Sequence, residues 1–219
     1  NHSSNRPFVT IKFAISLDGK ISLKNKNSKW ISNALSRNFG HMLRAQSDGI
    51  LTTNSTIKED NSKMTCRLNG LEKFTPLKII VDRGLKLNDH YAIFKNSKKE
   101  NLIVYHNTND QKKIKNYSKN ADLIYIKNKK NFLKLILNDL ANRKIKNLLI
   151  ESGAIFSTEI IKANLVDQIA FFRSNKIIGN DGLPFVNSLN LKSVSDSINT
   201  KVINFKVFDN DIYELRRLT

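Results

Sequence analysis

The sequence of 219 residues contains a single cysteine, Cys66. One thiol cannot form an intramolecular disulfide, and it cannot supply the several thiolates of a cysteine-based zinc site. Because 40% of the residues are hydrophobic, the chain can bury a substantial core without such cross-links. We therefore expect a protein of the reducing cytoplasm.

Long hydrophobic segments are also missing. No apolar run approaches the roughly 20 residues that cross a bilayer as a helix, and the polar start of the chain lacks the apolar core of a signal peptide. We expect a soluble protein that is not exported and has no membrane partner. We also expect one domain over residues 1–219, with residues 1–5 as a residual linker or disordered start.

Acidic residues are scarce, with 19 Asp and Glu against 37 Lys and Arg, which gives a net charge of +18. Such an excess raises nucleic acid or an anionic membrane as a partner. The cations are nevertheless dispersed, and no basic-aromatic motif accompanies them. We expect no specific nucleic-acid partner, and a basic nucleic-acid-binding module is the non-enzymatic alternative.

Several catalytic signatures are absent. The four histidines, His2, His41, His90 and His106, show no metal-ligand spacing, so we expect no metal. The full glycine-rich dinucleotide fingerprint is missing. No strand-serine-helix elbow or Cys/His nucleophile pattern is present, which argues against hydrolase chemistry.

The chain begins with an alternating segment. From residue 8 to residue 18, polar or small residues such as Lys12 and Ala14 alternate with an apolar set that consists of Val9, Ile11, Phe13, Ile15 and Leu17. This period of two predicts a strand with one polar face.

The rest of the chain follows the rhythm of an α/β sheet. Apolar runs predict strands over 49–53, 78–82, 102–105, 123–126, 147–151 and 168–172, and antiparallel strands near 201–208 and 212–218. Helical spacing predicts one helix capped by Ser32 or Asn33, a second over 132–142 and a third after Gly153. A lysine-rich segment after residue 105 predicts a weak helix. Polar loops are expected over 19–32 and between the strands at 49–53 and 78–82. We expect a mixed, mostly parallel α/β sheet flanked by helices, with antiparallel C-terminal strands.

Ligands of open α/β sheets bind beyond the carboxyl ends of the strands. Polar residues at predicted strand ends are Ser16, Asp18, Thr53, Thr56, Asp82, Arg83 and Glu151. An ionised Glu151 after an apolar strand must be paired, hydrated or used in chemistry. The alternative to a functional Glu151 is a structural one, in which the acid lies at the start of a helix and is stabilised by the helix dipole.

Four other residues have two interpretations each. Lys12 either extends from an edge strand to water or faces a phosphate or polarised carbonyl of a substrate. Trp30 is either a hydrophobic plug over the core or an aromatic wall for a planar ligand. Arg44 and Arg67 either bind a phosphate or are solvated.

Several ordered segments together carry a resemblance to a known family. They are Arg6–Lys12, Ser16-Leu17-Asp18-Gly19-Lys20, Ser28–Ser32, Leu43–Thr52, Thr56–Arg67, Ile79–Arg83, Ile150–Ala154, Leu165–Gln168 and Lys176–Gly179. In this order they resemble the reductase domain of the bifunctional diaminohydroxyphosphoribosylaminopyrimidine deaminase/5-amino-6-(5-phosphoribosylamino)uracil reductase of riboflavin biosynthesis. The resemblance spans nearly the whole chain.

The resemblance implies a dihydrofolate-reductase-like fold and an NADPH-dependent reduction of the substrate's ribosyl group to a ribityl chain. Carried over by position, the residues that would bind NADPH are Ala14, Trp30, Thr56, Asp60, Arg83, Gly153, Ala154, Ile155, Phe156, Ser157, Thr158 and Glu159. Those that would bind the substrate are Ser28, Arg44, Met64, Arg67 and Glu151. Lys12 would lie beside the sugar phosphate, and Lys12 and Glu151 would be the catalytic residues.

The resemblance also bears on partners. It implies that a full-length protein could carry the family's zinc deaminase domain. Independently of the resemblance, we expect a homodimer or higher homo-oligomer, for which late strands such as 168–172 and 201–208 could supply the surface. None of the deaminase's His and Cys ligands is present in this sequence. A dihydrofolate reductase that acts on a pterin is the alternative enzyme.

Overall fold

The computed structural model describes residues 5–219. The strands are β1 (Phe8–Ile15), β2 (Lys20–Leu23), β3 (Gly49–Thr53), β4 (Leu77–Val81), β5 (Leu102–His106), β6 (Asp122–Tyr125), β7 (Asn147–Ile150), β8 (Gln168–Arg173), β9 (Gly182–Pro184), β10 (Thr200–Phe208) and β11 (Asp211–Leu218). The helices are α1 (Ala34–Ala45), α2 (Asn54–Asp60), α3 (Ala92–Lys95), α4 (Gln111–Tyr117), α5 (Phe132–Asn142) and α6 (Ala154–Lys162). Short 3₁₀ turns lie at Glu72–Phe74, Lys99–Asn101, Gly179–Asp181 and Val194–Asp196.

The chain divides into two units. Among the described residues, unit 1 comprises 5–8 and 44–149, and unit 2 comprises 9–43 and 150–219. The single domain over 1–219 stays a prediction. Residues 1–4 of the predicted linker lie outside the described residues.

Unit 1 contains a parallel sheet with the strand order β7-β3-β4-β5-β6. Strand β4 pairs in parallel with β3 and β5, and β5 pairs in parallel with β6. Every residue of β3 and β5 is buried, as expected of parallel strands covered on both faces. Their continuous apolar runs therefore predicted them correctly.

Unit 2 contains strands in the order β10-β11-β8-β1. Strand β1 is parallel to β8, whereas β11 is antiparallel to both β8 and β10. Phe39 of α1 packs on one face, against Phe172 and Tyr213. Phe13 and Phe171 contact each other on the other face. The predicted mixed, mostly parallel fold with antiparallel C-terminal strands is confirmed.

Short elements in the expected loops were not predicted. Strand β2, within the expected 19–32 loop, pairs with β9 in a separate two-stranded sheet of unit 2. A Cβ placed on Gly182 of β9 would come within 2.6 Å of the Lys20 side chain, so this close pairing requires glycine. Helix α2 lies in the expected polar loop between β3 and β4.

The first strand is shorter than predicted. It ends at Ile15, and Leu17, predicted on its apolar face, is 50% exposed. The chain leaves the strand because Ser16 begins a turn, described below. Asn33 is confirmed as the cap of α1, since its Oδ1 accepts the Ser36 N–H at 2.8 Å. No helix among residues 5–219 combines the length and apolar character needed to cross a membrane.

Candidate functional site

The segment from Ser16 to Lys20 forms a tight turn of unit 2 after β1. The buried Ser16 hydroxyl donates to Asp18 Oδ1 at 2.6 Å and accepts the Lys20 N–H at 2.8 Å. Gly19 has a φ of 79°, in the left-handed region that glycine adopts without strain. The turn's own hydrogen bonds thus account for serine, aspartate and glycine at these positions.

Asp18 ties this turn to a second loop of unit 2, residues 176–179, which we call the anchored loop. Asp18 Oδ1 accepts the Ile178 N–H at 3.0 Å, and Oδ2 accepts the Gly179 N–H at 2.6 Å. The hydrogen bond from the Ser16 hydroxyl, together with these backbone amides, lowers the pKa of Asp18 from 3.8 to about 2. Asp18 therefore has a structural function in this turn.

Lys12 and Ala14 lie on the face of β1 that α1 covers. Lys12 is half-buried, and its Nζ lies 5.7 Å from the centroid of the Phe172 ring. Ala14 packs against the same buried cluster, which includes Phe172 and Tyr213. The lysine is therefore partly enclosed beneath the helix, and its predicted catalytic function stays a prediction.

Trp30 lies in the loop before α1, and 62% of its surface is exposed. The guanidinium carbon of Arg37 is 4.4 Å from the centroid of the indole, and Lys176 Nζ donates to the Trp30 carbonyl oxygen. Ser28 is half-buried, and its carbonyl accepts the Ile31 N–H at 3.2 Å. A hydrophobic plug over the core does not fit a tryptophan this exposed, and the aromatic-wall interpretation stays a prediction.

Glu151 and Gly153 lie between β7 and α6. Glu151 is half-buried. Gly153 is the N-cap of α6, so no cap side chain bonds to the first-turn amides. A Cβ added to Gly153 would meet no atom within 4 Å. Since the first N–H groups of a helix lack intrahelical acceptors and carry partial positive charge, this open turn can bind an anion.

The side chains of α6 differ in accessibility. Ile155 is 80% exposed, whereas Phe156, Ser157 and Thr158 are buried. The Thr158 hydroxyl donates to the Ala154 carbonyl at 2.6 Å. Ser157 Oγ lies 3.0 Å from Ser152 Oγ. Within the predicted cofactor segment 153–159, the first-turn amides and the Ile155 side chain are therefore the groups that a ligand can reach most easily.

In unit 1, Thr56 and Asp60 both belong to α2. Thr53 caps this helix of seven residues, because its Oγ1 accepts the Thr56 N–H at 3.4 Å. The Thr56 hydroxyl lies 3.1 Å from Thr53 Oγ1. Asp60 is exposed at the last position of the helix. The two predicted cofactor residues are thus at opposite ends of α2.

Asp82 follows β4 and is completely buried. Its carboxylate accepts hydrogen bonds from Asn54 Nδ2 at 2.9 Å, Lys86 N at 2.7 Å, Leu87 N at 3.1 Å and the Tyr117 hydroxyl at 2.6 Å. It joins the start of α2, the loop after β4 and the end of α4. The sequence predicted its position at a strand end but not these partners, which come from separate segments.

Arg83, the next residue, is exposed. Its guanidinium carbon lies 4.8 Å from the centroid of the Phe132 ring, and its carbonyl accepts the Asn107 N–H at 3.0 Å. The backbone of Arg83 is thus held by Asn107, and its guanidinium lies near an aromatic ring.

The predicted substrate residues of unit 1 lie close together. Arg44 Nη1 donates to the carbonyl of Thr65, which directly follows Met64 in the chain, at 2.9 Å. Met64 is 2% exposed and its Sδ accepts the Ser62 hydroxyl at 3.2 Å. Arg67 is exposed.

His106, at the end of β5, was not predicted as a site residue. It is 3% exposed, its Nδ1 has no hydrogen-bond partner among the described residues, and its ring centroid lies 5.5 Å from that of Tyr125. Burial lowers the pKa of His106 and favours the neutral imidazole. In the sequence, the position of His106 directly after an apolar run could have indicated it as a residue at a strand end.

Residues 5–219 contain no group of three His, Cys, Asp or Glu side chains that could hold a metal ion. Cys66 is buried and its N–H donates to Thr75 Oγ1 at 3.1 Å. The expectation of no metal stays a prediction.

Residues 7–213 match the RibD C-terminal domain family. The chain belongs to this family. It is 30% identical to the riboflavin biosynthesis protein RibD of Aquifex aeolicus, over 90% of this chain and 53% of that protein. It is 28% identical to the 5-amino-6-(5-phosphoribosylamino)uracil reductase of Buchnera aphidicola, over 87% of this chain and 96% of that protein. The chain thus spans about half the length of a RibD protein such as that of A. aeolicus.

Solved structures agree with this RibD-type fold. A diaminohydroxyphosphoribosylaminopyrimidine deaminase/5-amino-6-(5-phosphoribosylamino)uracil reductase from Thermotoga maritima aligns with a TM-score of 0.83 at 29% identity, over 98% of this chain and 57% of that one. The dihydrofolate reductase of Enterococcus faecalis aligns with a TM-score of 0.51 at 12% identity, over 97% of this chain and 96% of that one. The dihydrofolate-reductase-like fold implied by the resemblance is therefore confirmed.

Proposed function

We propose that this RibD C-terminal domain reduces the ribosyl group of 5-amino-6-(5-phosphoribosylamino)uracil to the ribityl product with NADPH. The observation that carries the proposal is the match to the reductase of B. aphidicola, of which this chain covers 96%. That relative is named for the reductase activity alone. A cytoplasmic location and a deaminase domain in a longer protein belong to the same proposal.

The turn before α6 supports a phosphate-binding function. Gly153 leaves the first-turn amides without a side-chain cap, and a Cβ at this position would find only open space. These amides suit the diphosphate of a dinucleotide because their dipoles favour negative charge. The residues present therefore fit the cofactor that the family implies.

Exposed groups elsewhere suit other parts of NADPH. The guanidinium of Arg83, a residue that is exposed after β4, suits the 2′-phosphate by its charge and planar geometry, which favours NADPH over NADH. The indole of Trp30 suits a planar ring. Ala14 of β1 and the two α2 residues Thr56 and Asp60 complete the proposed cofactor set.

The substrate residues are assigned by their chemistry. Arg44 and Arg67 suit the substrate phosphate, since guanidinium groups bind phosphate with paired hydrogen bonds. Ser28 and Met64 complete the proposed contacts. The ribose ring opens when the ring C–O bond breaks and the glycosidic nitrogen forms a C=N bond, with transfer of a proton from that nitrogen to the ring oxygen.

When bound at the turn before α6, NADPH would supply the hydride that the former anomeric carbon accepts. The nitrogen then takes a proton, so the net reaction consumes one hydride and one proton. Glu151 is half-buried between β7 and α6, and we assign to it the transfer of this proton or the orientation of the opened sugar. Lys12 offsets negative charge on the sugar phosphate side. Such chemistry depends mainly on the positioning of two ligands.

The reaction is tested by following NADPH oxidation with the aminouracil ribotide, with dihydrofolate, and with NADH in place of NADPH. We expect oxidation only with the ribotide, and faster with NADPH. Activity with dihydrofolate alone would support the pterin reductase instead. Tight, sequence-selective nucleic-acid binding at physiological salt without NADPH binding would contradict an enzyme.

The role of Glu151 is tested with Glu151→Gln, which keeps the shape but removes the ionisable group. We expect a loss of about 100-fold or more in single-turnover hydride transfer, a common size for acid-base catalysis, with an unchanged circular dichroism spectrum. The matched control is Glu100→Gln, an exposed glutamate of unit 1, which should leave the rate unchanged. An unaltered rate in Glu151→Gln would contradict the assignment.

We also propose that β10 and β11 mediate homodimerisation. Phe205 (64% exposed), Val207 (62%) and Ile212 (41%) form an exposed apolar group on one face of this strand pair, and β10 is the last strand in the order of unit 2. Monomers rarely leave such an edge uncovered, and a second copy could cover it symmetrically.

Sedimentation of the wild type should show a dimer, and Phe205→Asp should shift it to monomer. Phe74→Asp, at a phenylalanine of unit 1 that is 49% exposed, is the control and should remain dimeric. A wild type that is monomeric at micromolar concentration would contradict the proposal.

A further inference from the structure

We propose that Arg37 is a positioning residue that holds the indole of Trp30 as a rigid platform for a planar ring of NADPH. The inference rests on the proposed function. Its starting point is an unusual exposure: Trp30, the only tryptophan, is 62% exposed although the Arg37 guanidinium lies 4.4 Å from its ring centroid. One face of the indole is covered, and the exposed surface remains for a ligand.

Arg37 is itself fixed at two points. Its Nη1 donates to the Ser32 carbonyl at 2.6 Å, and its backbone N–H donates to the Asn33 carbonyl at 3.2 Å. Asn33 in turn caps α1 and donates its N–H to Asp211 Oδ2 at 2.7 Å. The guanidinium therefore meets the indole from a helix whose start is anchored to β11.

A second restraint acts on the backbone of Trp30. Lys176 of the anchored loop donates its Nζ to the Trp30 carbonyl oxygen, and the Lys176 carbonyl accepts the Leu17 N–H at 2.6 Å. Asp18 holds the same loop through Gly179. The turn that follows β1 thus contributes to the placement of Trp30, while Arg37 acts on the ring.

This arrangement predicts an effect on binding more than on chemistry. An exposed indole without a stacking partner samples several rotamers, and a ligand must order it on binding. A guanidinium stacked on the ring removes part of that ordering in advance. Loss of the contact should therefore raise the dissociation constant of NADPH and leave the hydride-transfer rate at saturation largely unchanged.

The first test uses the free protein, because the single tryptophan reports only on position 30. In Arg37→Met, which keeps a side chain of intermediate length without charge, we expect lower fluorescence anisotropy and stronger acrylamide quenching than in the wild type. Arg37→Lys retains the charge and should show an intermediate change. Unchanged anisotropy and quenching in Arg37→Met would overturn the proposal. Circular dichroism confirms that each variant is folded.

The second test is a double-mutant cycle for NADPH binding, measured by calorimetry on the wild type, Arg37→Met, Trp30→Ala and the double variant. We expect Arg37→Met to raise the dissociation constant about two- to fivefold, the size of an exposed cation–π contact, and to have no effect in the Trp30→Ala background. An equal effect of Arg37→Met in both backgrounds would show that Arg37 acts independently of Trp30 and would overturn the inference.

The two proposals fail in different ways. A wild type that does not bind NADPH would contradict the proposed function and the platform with it. Binding that Trp30→Ala weakens but Arg37→Met does not would contradict the positioning role of Arg37 and leave the proposed function standing. Weaker binding in Arg37→Met with an unchanged rate at saturating NADPH supports both.

Discussion

Asp82 in unit 1 and Asp18 in unit 2 perform the same task in different surroundings. Each follows a strand, and each carboxylate accepts hydrogen bonds from the chain that comes after it or from a distant loop. Asp82 is fully buried, however, whereas Asp18 is exposed. The two carboxylates should therefore contribute unequally to the free energy of unfolding.

The difference arises from solvent. If the Asp82 carboxylate is lost, the buried donors of Leu87 and Tyr117 lose their acceptor, and so do the part-buried donors of Asn54 and Lys86. Around Asp18, water can take over the amides at once. Unpaired buried donors are costly, and exposed ones are nearly neutral.

Removal of the Asp82 carboxylate should have the largest effect. We expect Asp82→Ala to lower the free energy of unfolding by about 3–5 kcal/mol, because several buried donors lose their acceptor. Urea denaturation measures the change. The control, Asp89→Ala, removes an exposed aspartate from the following loop and should change stability by less than about 0.5 kcal/mol. Equal effects in the two variants would remove the basis of the comparison.

A smaller effect is expected when one donor to Asp82 is removed. The Tyr117 hydroxyl donates to Asp82 at 2.6 Å, and burial, reinforced by this carboxylate, raises the pKa of the tyrosine. Tyr117→Phe should cost about 1.5–3 kcal/mol, the range for a hydrogen bond to a charged group. Tyr125→Phe, at a tyrosine that is 44% exposed, is the control. A stability loss in Tyr125→Phe as large as that in Tyr117→Phe would contradict the role of burial.

The regular elements were predictable where the apolar pattern was strong. Helix α5 has the predicted bounds of 132–142, and β8 extends the predicted 168–172 by one residue. Helix α5 buries large side chains at helical spacing, and β8 buries a continuous apolar run over 169–172, so both leave a clear apolar pattern in the sequence.

The missed elements lack such a pattern. Helix α2 buries only Ile57, and the hydroxyl of Thr53 caps its start, so its sequence has no apolar stripe. Strand β2 depends on β9, which lies far along the chain. Pairings of this kind follow from tertiary structure and cannot be inferred from local periodicity.

The candidate site was predictable only in part for the same reason. The residue pattern singled out Trp30, Glu151, Asp82 and Arg83 before the resemblance added a function to Trp30, Glu151 and Arg83, and these functions stay predictions. Sequence gave no signal that Arg37 stacks on Trp30, since a lone arginine on an amphipathic helix is usually solvated. Which side chains contact one another could be determined only from the folded structure.

The smallest effect concerns Asp18 and depends on pH. Its pKa in the folded chain, about 2, lies below the ordinary value of 3.8, so the folded state favours the ionised form. The resulting stabilisation is present above pH 3.8 and is lost as the pH falls through about 2.

The amide signals of Ile178 and Gly179 should therefore titrate with a midpoint near 2 in NMR spectra. Their hydrogen exchange should accelerate over this window relative to its intrinsic rate. In Asp18→Asn, which has no ionisable group, the titration should disappear and the two amides should exchange faster at neutral pH. A midpoint near 3.8 in the wild type would mean that Asp18 does not hold the anchored loop, and the contrast with Asp82 would then be one between an anchor and a solvated side chain.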